Sequence, residues 1–172
     1  MPLNKKNKFI DIVISDTTAL IVFAKTDTLF LLSNLFKKVY IPKAVNNEIN
    51  SKNDIISYKI KNSDFIEVRE IENLHLLERI KKFKLDLGET EAITLALELN
   101  FKLIIDERKG RKIAINQGIS IVGILGILRE NYIQKLISIK DLHYYFYLFK
   151  NNQLRISKEL EKIFFDSLVK SR

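Results

Sequence analysis

The chain has no cysteine, and that absence removes disulfide staples and thiolate metal sites together. Histidine is scarce: His75 and His143 are the only two, far apart and in no metal-ligand spacing. Any divalent ion held here must take mainly oxygen ligands, which suits Mg2+ or Mn2+. Long apolar runs are missing too. The longest are a few residues, against the ~20 that a spanning helix needs. Lys5, Lys6 and Lys8 ahead of an apolar stretch have the outline of a secretion signal. Asp11 interrupts that stretch, however, and no small-residue cleavage site follows. The expectation is a cytoplasmic protein that makes no use of a membrane.

What is present is one domain's worth of chain. A domain of 172 residues buries roughly 70% of the surface its unfolded chain exposes, so it needs no staple. Hydrophobic residues at 47% and charged residues at 29% are an ordinary globular mixture. The net charge of +8 favours polyanions such as nucleic acid or anionic membrane. A Lys-, Asn- and Ile-rich composition also arises from genome base composition, so charge by itself selects no function.

Short β-branched runs alternate with amphipathic stretches. Strands are expected at 10–15, 39–41, 65–69, 102–105 and 119–122. Helices are expected at 19–25, after Asp27, from a first turn that holds Pro42, and at 54–61, 74–83, 89–100, 108–117 and 123–131. Residues 85–88 read as a turn, and Gly118 as a helix C-cap. The alternation implies an α/β fold with a mostly parallel sheet covered on both faces. Beyond about residue 135 the character changes. Residues 141–150 are crowded with Tyr144, Tyr145, Phe146, Tyr147 and Phe149, and 157–170 read as a helix capped by Ser157. The expectation is a main domain over 10–135 and a C-terminal helical appendage over 136–172 packed on it.

Acids recur where strands end and helices begin. Asp16 ends the first strand, Glu48 lies in the helix after the second, Glu89 opens a helix, and Asp106 and Glu107 end the 102–105 strand. In an open parallel sheet the carboxyl ends of the strands share one edge, so Asp16 and Asp106 are expected to share it. Grouped carboxylates repel one another, and a divalent cation removes the repulsion. Each acid also has a plainer reading. Asp16, Asp106 and Glu107 are residue types that suit helix caps, Glu48 can be a solvated helix residue, and Glu89 and Glu91 suit a first helical turn.

Four ordered blocks carry a resemblance. They are Val13-Ile14-Ser15-Asp16-Thr17-Thr18-Ala19-Leu20-Ile21, Tyr40-Ile41-Pro42-Lys43-Ala44-Val45 through Glu48, Leu87-Gly88-Glu89-Thr90-Glu91-Ala92-Ile93, and Ile105-Asp106-Glu107-Arg108-Lys109-Gly110-Arg111-Lys112-Ile113-Ala114. In this order they resemble PIN-domain proteins, in particular the DUF3368-type branch related to VapC-like toxins of toxin–antitoxin systems. The resemblance implies a three-layer α/β/α fold with a central parallel sheet. It also implies an endoribonuclease dependent on Mg2+ or Mn2+. By motif, Asp16 and Glu48 match the first two family acids. Glu89 or Glu91 matches the third, and Asp106 or Glu107 the fourth. The third is Glu where many PIN proteins have Asp, which bears on rate and metal preference.

Around these acids, Thr17 and Thr18 can hydrogen-bond a ligating carboxylate or a metal-bound water, or merely cap a helix. Arg108, Lys109, Arg111 and Lys112 can hold RNA phosphates, dock an acidic antitoxin segment or form a solvated face, and Arg108 and Arg111 can instead pair with Glu107 or Glu91. The aromatic run suits core or oligomer contacts, as in a homodimer or larger homo-oligomer, better than base stacking. Two other functions compete: a PIN-like module that binds RNA or protein without catalysis, and a phosphotransfer domain using Asp16 as nucleophile. The latter usually carries a second Asp two residues on, where this chain has Thr18.

Overall fold

β1 (Ile12–Ser15) is the middle strand of a five-stranded sheet whose order is β3-β2-β1-β4-β5. Its partners are β2 (Lys38–Pro42) and β4 (Lys102–Ile104), with β3 (Ile66–Arg69) and β5 (Ile121–Val122) at the edges. Every pairing is parallel. This computed structural model describes residues 12–52, 54–152 and 154–169, so the expected strand start at 10–11 and the helix end at 170 lie outside the described residues.

Side chains alternate across the sheet and divide the core in two. Val13, Val39, Ile41 and Ile104 face one core, while Ile14, Leu103 and Ile105 face the other. The first core is covered by α1 (Thr17–Lys25), α2 (Phe30–Ser33), α3 (Lys43–Ser51), α4 (Ile55–Lys61) and later helices. The second is covered by α5 (Leu74–Lys81), α6 (Leu87–Leu99) and α7 (Arg108–Asn116). The result is the three-layer α/β/α arrangement.

The remaining helices are α8 (Ile124–Ile133), α9 (Ile139–Asn151) and α10 (Lys158–Val169). Ser138 and Asp141 cap α9 reciprocally. Leu142, Phe146 and Phe149 recur at helical spacing on α9 and are fully buried in the first core, together with Phe164 and Leu168 of α10. Phe149 meets Phe23 of α1 edge to face, ring centroids 5.7 Å apart. The aromatic crowd is therefore split: Phe146 and Phe149 are core, while Tyr144 and Tyr147 are exposed.

Several element ends differ from expectation for local reasons. α6 begins at Leu87 because the Asp86 side chain accepts from the Glu89 backbone N–H, so the expected turn at 85–88 is an N-cap followed by the first helical residues. Pro42 closes β2 and stands at the N-cap position of α3 rather than inside it. Gly118 has φ +82°, the left-handed conformation expected beyond the end of α7.

Candidate active site

The chain runs from β1 outward to β2 and β3, then crosses to β4 and β5 on the other side. That reversal opens a crevice at the carboxyl ends of β1 and β4, where parallel sheets place their functional groups. Asp16 stands in it. Its backbone N–H donates to the carbonyl of Ile104, the last residue of β4, at 3.2 Å. Only 1% of Asp16 is exposed.

The cap reading of Asp16 engages only one of its two carboxylate oxygens. Oδ1 accepts from the Ala19 backbone N–H at 2.9 Å and caps α1. Oδ2 is buried and has no hydrogen-bond partner. Burial pushes the carboxyl up to about 8; the Ala19 N–H opposes this, and the charges of Asp106, Glu89 and Asp86 add to it. An unsatisfied buried carboxylate oxygen is costly, and natural folds keep few of them.

Glu89 repeats the pattern. It is 8% exposed, and its Oε1 is buried without a partner. Burial raises its carboxyl to about 7, with Asp86 and Glu107 adding to the rise and Lys109 opposing it. A Cβ on Gly110 would fall 2.6 Å from that Oε1, so the α7 backbone comes this close to Glu89 only where no side chain intervenes.

Asp106 follows β4, and its Oδ2 accepts from the Ile124 backbone N–H at 2.8 Å, which ties it to the start of α8. Burial raises its pKa, while the Ile124 N–H and the Arg111 guanidinium pull the other way. Arg111 donates to the Ile105 carbonyl at 2.9 Å, and its charge acts on Asp106. Glu48 is exposed at the rim, and its Oε2 accepts from the Thr17 hydroxyl at 2.7 Å. Thr18, by contrast, is exposed.

Two expected ligands have other surroundings. Glu91 Oε2 accepts from the Ala44 backbone N–H at 2.8 Å, at the start of α3. Glu107 is exposed beside Glu89. Of the basic run, Arg108, Lys109 and Lys112 are exposed, and Lys109 donates to the Lys84 carbonyl at 2.7 Å. Asp86, expected only as part of a turn, is a further carboxylate of the cluster. Its signal was legible: Asp86-Leu87-Gly88-Glu89 has the spacing of an N-cap and an N3 acid.

Among the described residues no group of three or more histidine, aspartate or glutamate side chains is closed around a metal-sized gap. The donors nonetheless fit a hard cation in kind. They are carboxylates only, two of them carry buried oxygens without a hydrogen-bond partner, and burial and mutual repulsion outweigh the pull of Lys109 and Arg111.

The fold and site define an α/β domain with an acidic centre at the switch point of a parallel sheet. The family model DUF3368, a PIN domain, matches residues 12–168, and the chain belongs to the PIN-domain family. PIN domains are generally nucleases and generally use divalent metals. Among solved structures, a PilT N-terminus domain protein from the hyperthermophilic archaeon Sulfolobus solfataricus P2 is similar at 19% identity and a TM-score of 0.47. The match covers 69% of this chain and 92% of that one. No curated protein matches the chain. Among the described residues no helix is long and apolar enough to cross a membrane.

Proposed function

We propose that this chain is an endoribonuclease dependent on Mg2+ or Mn2+, hydrolysing RNA phosphodiester bonds in the cytoplasm as the toxin of a toxin–antitoxin pair. The observation that carries the reading is the pair of orphaned, buried carboxylate oxygens, Oδ2 of Asp16 and Oε1 of Glu89, in a domain whose family is generally nucleolytic. Asp16, Glu89 and Asp106 would hold the ion, with Glu48, Asp86 and Glu107 adding negative charge around it. Bound there, the ion supplies a lowered pKa for water and charge neutralisation at the phosphate.

The chain's own residues set the geometry of the acids. The Ala19 and Ile124 N–H groups hold the Asp16 and Asp106 carboxylates, and Thr17 holds Glu48. The exposed Arg108 and Lys112 suit RNA phosphates or an acidic antitoxin segment competing for the same face. Exposed Tyr144 and Tyr147 suit a contact between copies in a homodimer.

The test is cleavage of a mixed RNA substrate by the purified chain with Mg2+, with Mn2+ and with EDTA, repeated with Asp16→Asn. Metal-dependent cleavage lost in the variant supports the reading. Cleavage that survives EDTA, or that Asp16→Asn leaves intact, overturns it. A second reading, a binding module without catalysis, is favoured by the carboxylates of Glu91 and Asp106 being engaged on helix N-termini. Salt-sensitive RNA binding without cleavage in any metal would select it.

A further inference from the structure

The resemblance offers Glu91 as a metal ligand, yet its carboxylate is occupied with another helix. α3 begins without a cap of its own. Pro42, at its N-cap position, makes no side-chain cap hydrogen bond, and its first turn holds no acid. Glu91 of α6 supplies both lacks from outside, accepting from the Ala44 N–H with Oε2 at 2.8 Å and placing a negative charge at the positive end of the α3 dipole.

The faces that meet are the ones that matter for the site. Ala44 and Glu48 are four residues apart and share one face of α3, while Gly88 and Glu91 are three apart and share one face of α6. The second contact lies one turn on from the first: a Cβ on Gly88 would stand 3.2 Å from Glu48 Oε2 and 3.1 Å from Thr17 Oγ1. α6 thus grips α3 at its start through Glu91 and leaves room at Gly88 for Glu48 to lie against Thr17. The same helix repeats the device two turns later, where Glu98 accepts from the backbone N–H groups of Glu72 and Asn73 just before α5.

We infer that Glu91 is a positioning residue that sets the pitch and rotation of α3, and through them the carboxylate of Glu48, and that it is not a metal ligand. The inference rests on Glu48 belonging to the proposed nuclease site. It separates hydrogen-bond acceptance from charge. A glutamine can still accept from the Ala44 N–H through its amide oxygen, but it is a poor ligand for Mg2+ or Mn2+.

The experiment compares Glu91→Gln, Glu91→Ala and Asp16→Asn for Mn2+ affinity, for RNA cleavage, and for hydrogen exchange of the Ala44 amide by NMR. The expectation is that Glu91→Gln stays within about threefold of the parent in Mn2+ affinity and kcat, while Glu91→Ala loses about tenfold or more in kcat. Glu91→Ala should also lose protection at Ala44, which Glu91→Gln keeps. In a Glu48→Gln background Glu91→Ala should add little, because it acts through Glu48. Glu91→Gln losing Mn2+ as severely as Asp16→Asn would overturn the inference. So would an Ala44 amide equally protected in the parent and in Glu91→Ala. The exchange measurement needs no activity, so a parent that cleaves no RNA counts against the nuclease reading and leaves this result legible.

Discussion

The Thr17 hydroxyl donates to Glu48 Oε2 at 2.7 Å, joining residues 31 apart in sequence and tying the first helical residue after β1 to the middle of α3. Thr17 is 5% exposed, while Glu48, whose carboxylate it holds, is an exposed residue. Thr17→Val keeps shape and removes the donor. The expected result is a cleavage rate about 10- to 100-fold lower, with a stability loss of about 1 kcal/mol, while Thr17→Ser restores most of the rate. Steady-state kinetics and urea melts on the two variants check it.

The buried acids make stability depend on pH in an unusual direction. Asp16 is raised from 3.8 to about 8, and Glu89 from 4.5 to about 7. Between the ordinary and raised values the folded state holds more protons than the unfolded, so metal-free stability falls as pH rises through this window. It is fullest below the unfolded values and has lost this contribution by about pH 8. Asp16→Asn removes the cause. The variant should be more stable than the metal-free parent at pH 8, by on the order of 1–3 kcal/mol, and the gap should close toward pH 4. Denaturant melts at both pH values, in EDTA, decide this. A gap that widens toward acid would show that the sign is wrong.

Gly110→Ala tests the close approach of α7. Alanine in a helix interior ordinarily gains about 1 kcal/mol over glycine. Here the new Cβ would fall 2.6 Å from Glu89 Oε1 and 2.6 Å from Ile105 Cδ1. The expected outcome is no gain in stability and at least a tenfold loss of cleavage, because Glu89 must move. Mn2+ titration of the folded variant should show weakened binding in parallel.

Phe149→Ala separates packing from chemistry. Phe149 is fully buried and meets Phe23 across the first core. Its truncation should cost about 3–5 kcal/mol, with Mn2+ affinity unchanged at temperatures where the variant is folded. Calorimetry alongside a metal titration reads both.

Much of the fold was legible in the sequence because its signals are local. The β-branched runs ending at Ser15 and Ile41 need only the period and composition of a strand, and Ala92, Ile93 and Ala96 mark the buried face of the 89–100 helix by spacing alone. The strand order was not legible, since nothing in the stretch around Leu103 says that it lies against Ile14 rather than at an edge. At the site, Asp16 and Asp106 were legible as strand-end acids. The employment of Glu91 was not: its partner is the Ala44 amide, 47 residues away, and a glutamate in an early helical turn looks the same whether it faces water, a cation or another helix. Asp86 reads as a turn residue in the sequence because a cap and a turn use the same residue types.

The central place of β1 bears on how the chain emerges from a ribosome. β1, β2 and β3 are all made before residue 70, but the neighbour that completes the crevice beside Asp16 is β4, with Asp106 just beyond it. Between them lie α5 and α6, and with α6 comes Glu89. A nascent chain stalled before residue 102 therefore holds Asp16 and Glu48 but lacks both the strand and the acid opposite them. Because pairing β1 with β4 must wait for so long a loop to close, the cluster is a late product of synthesis, and truncated chains are born without it.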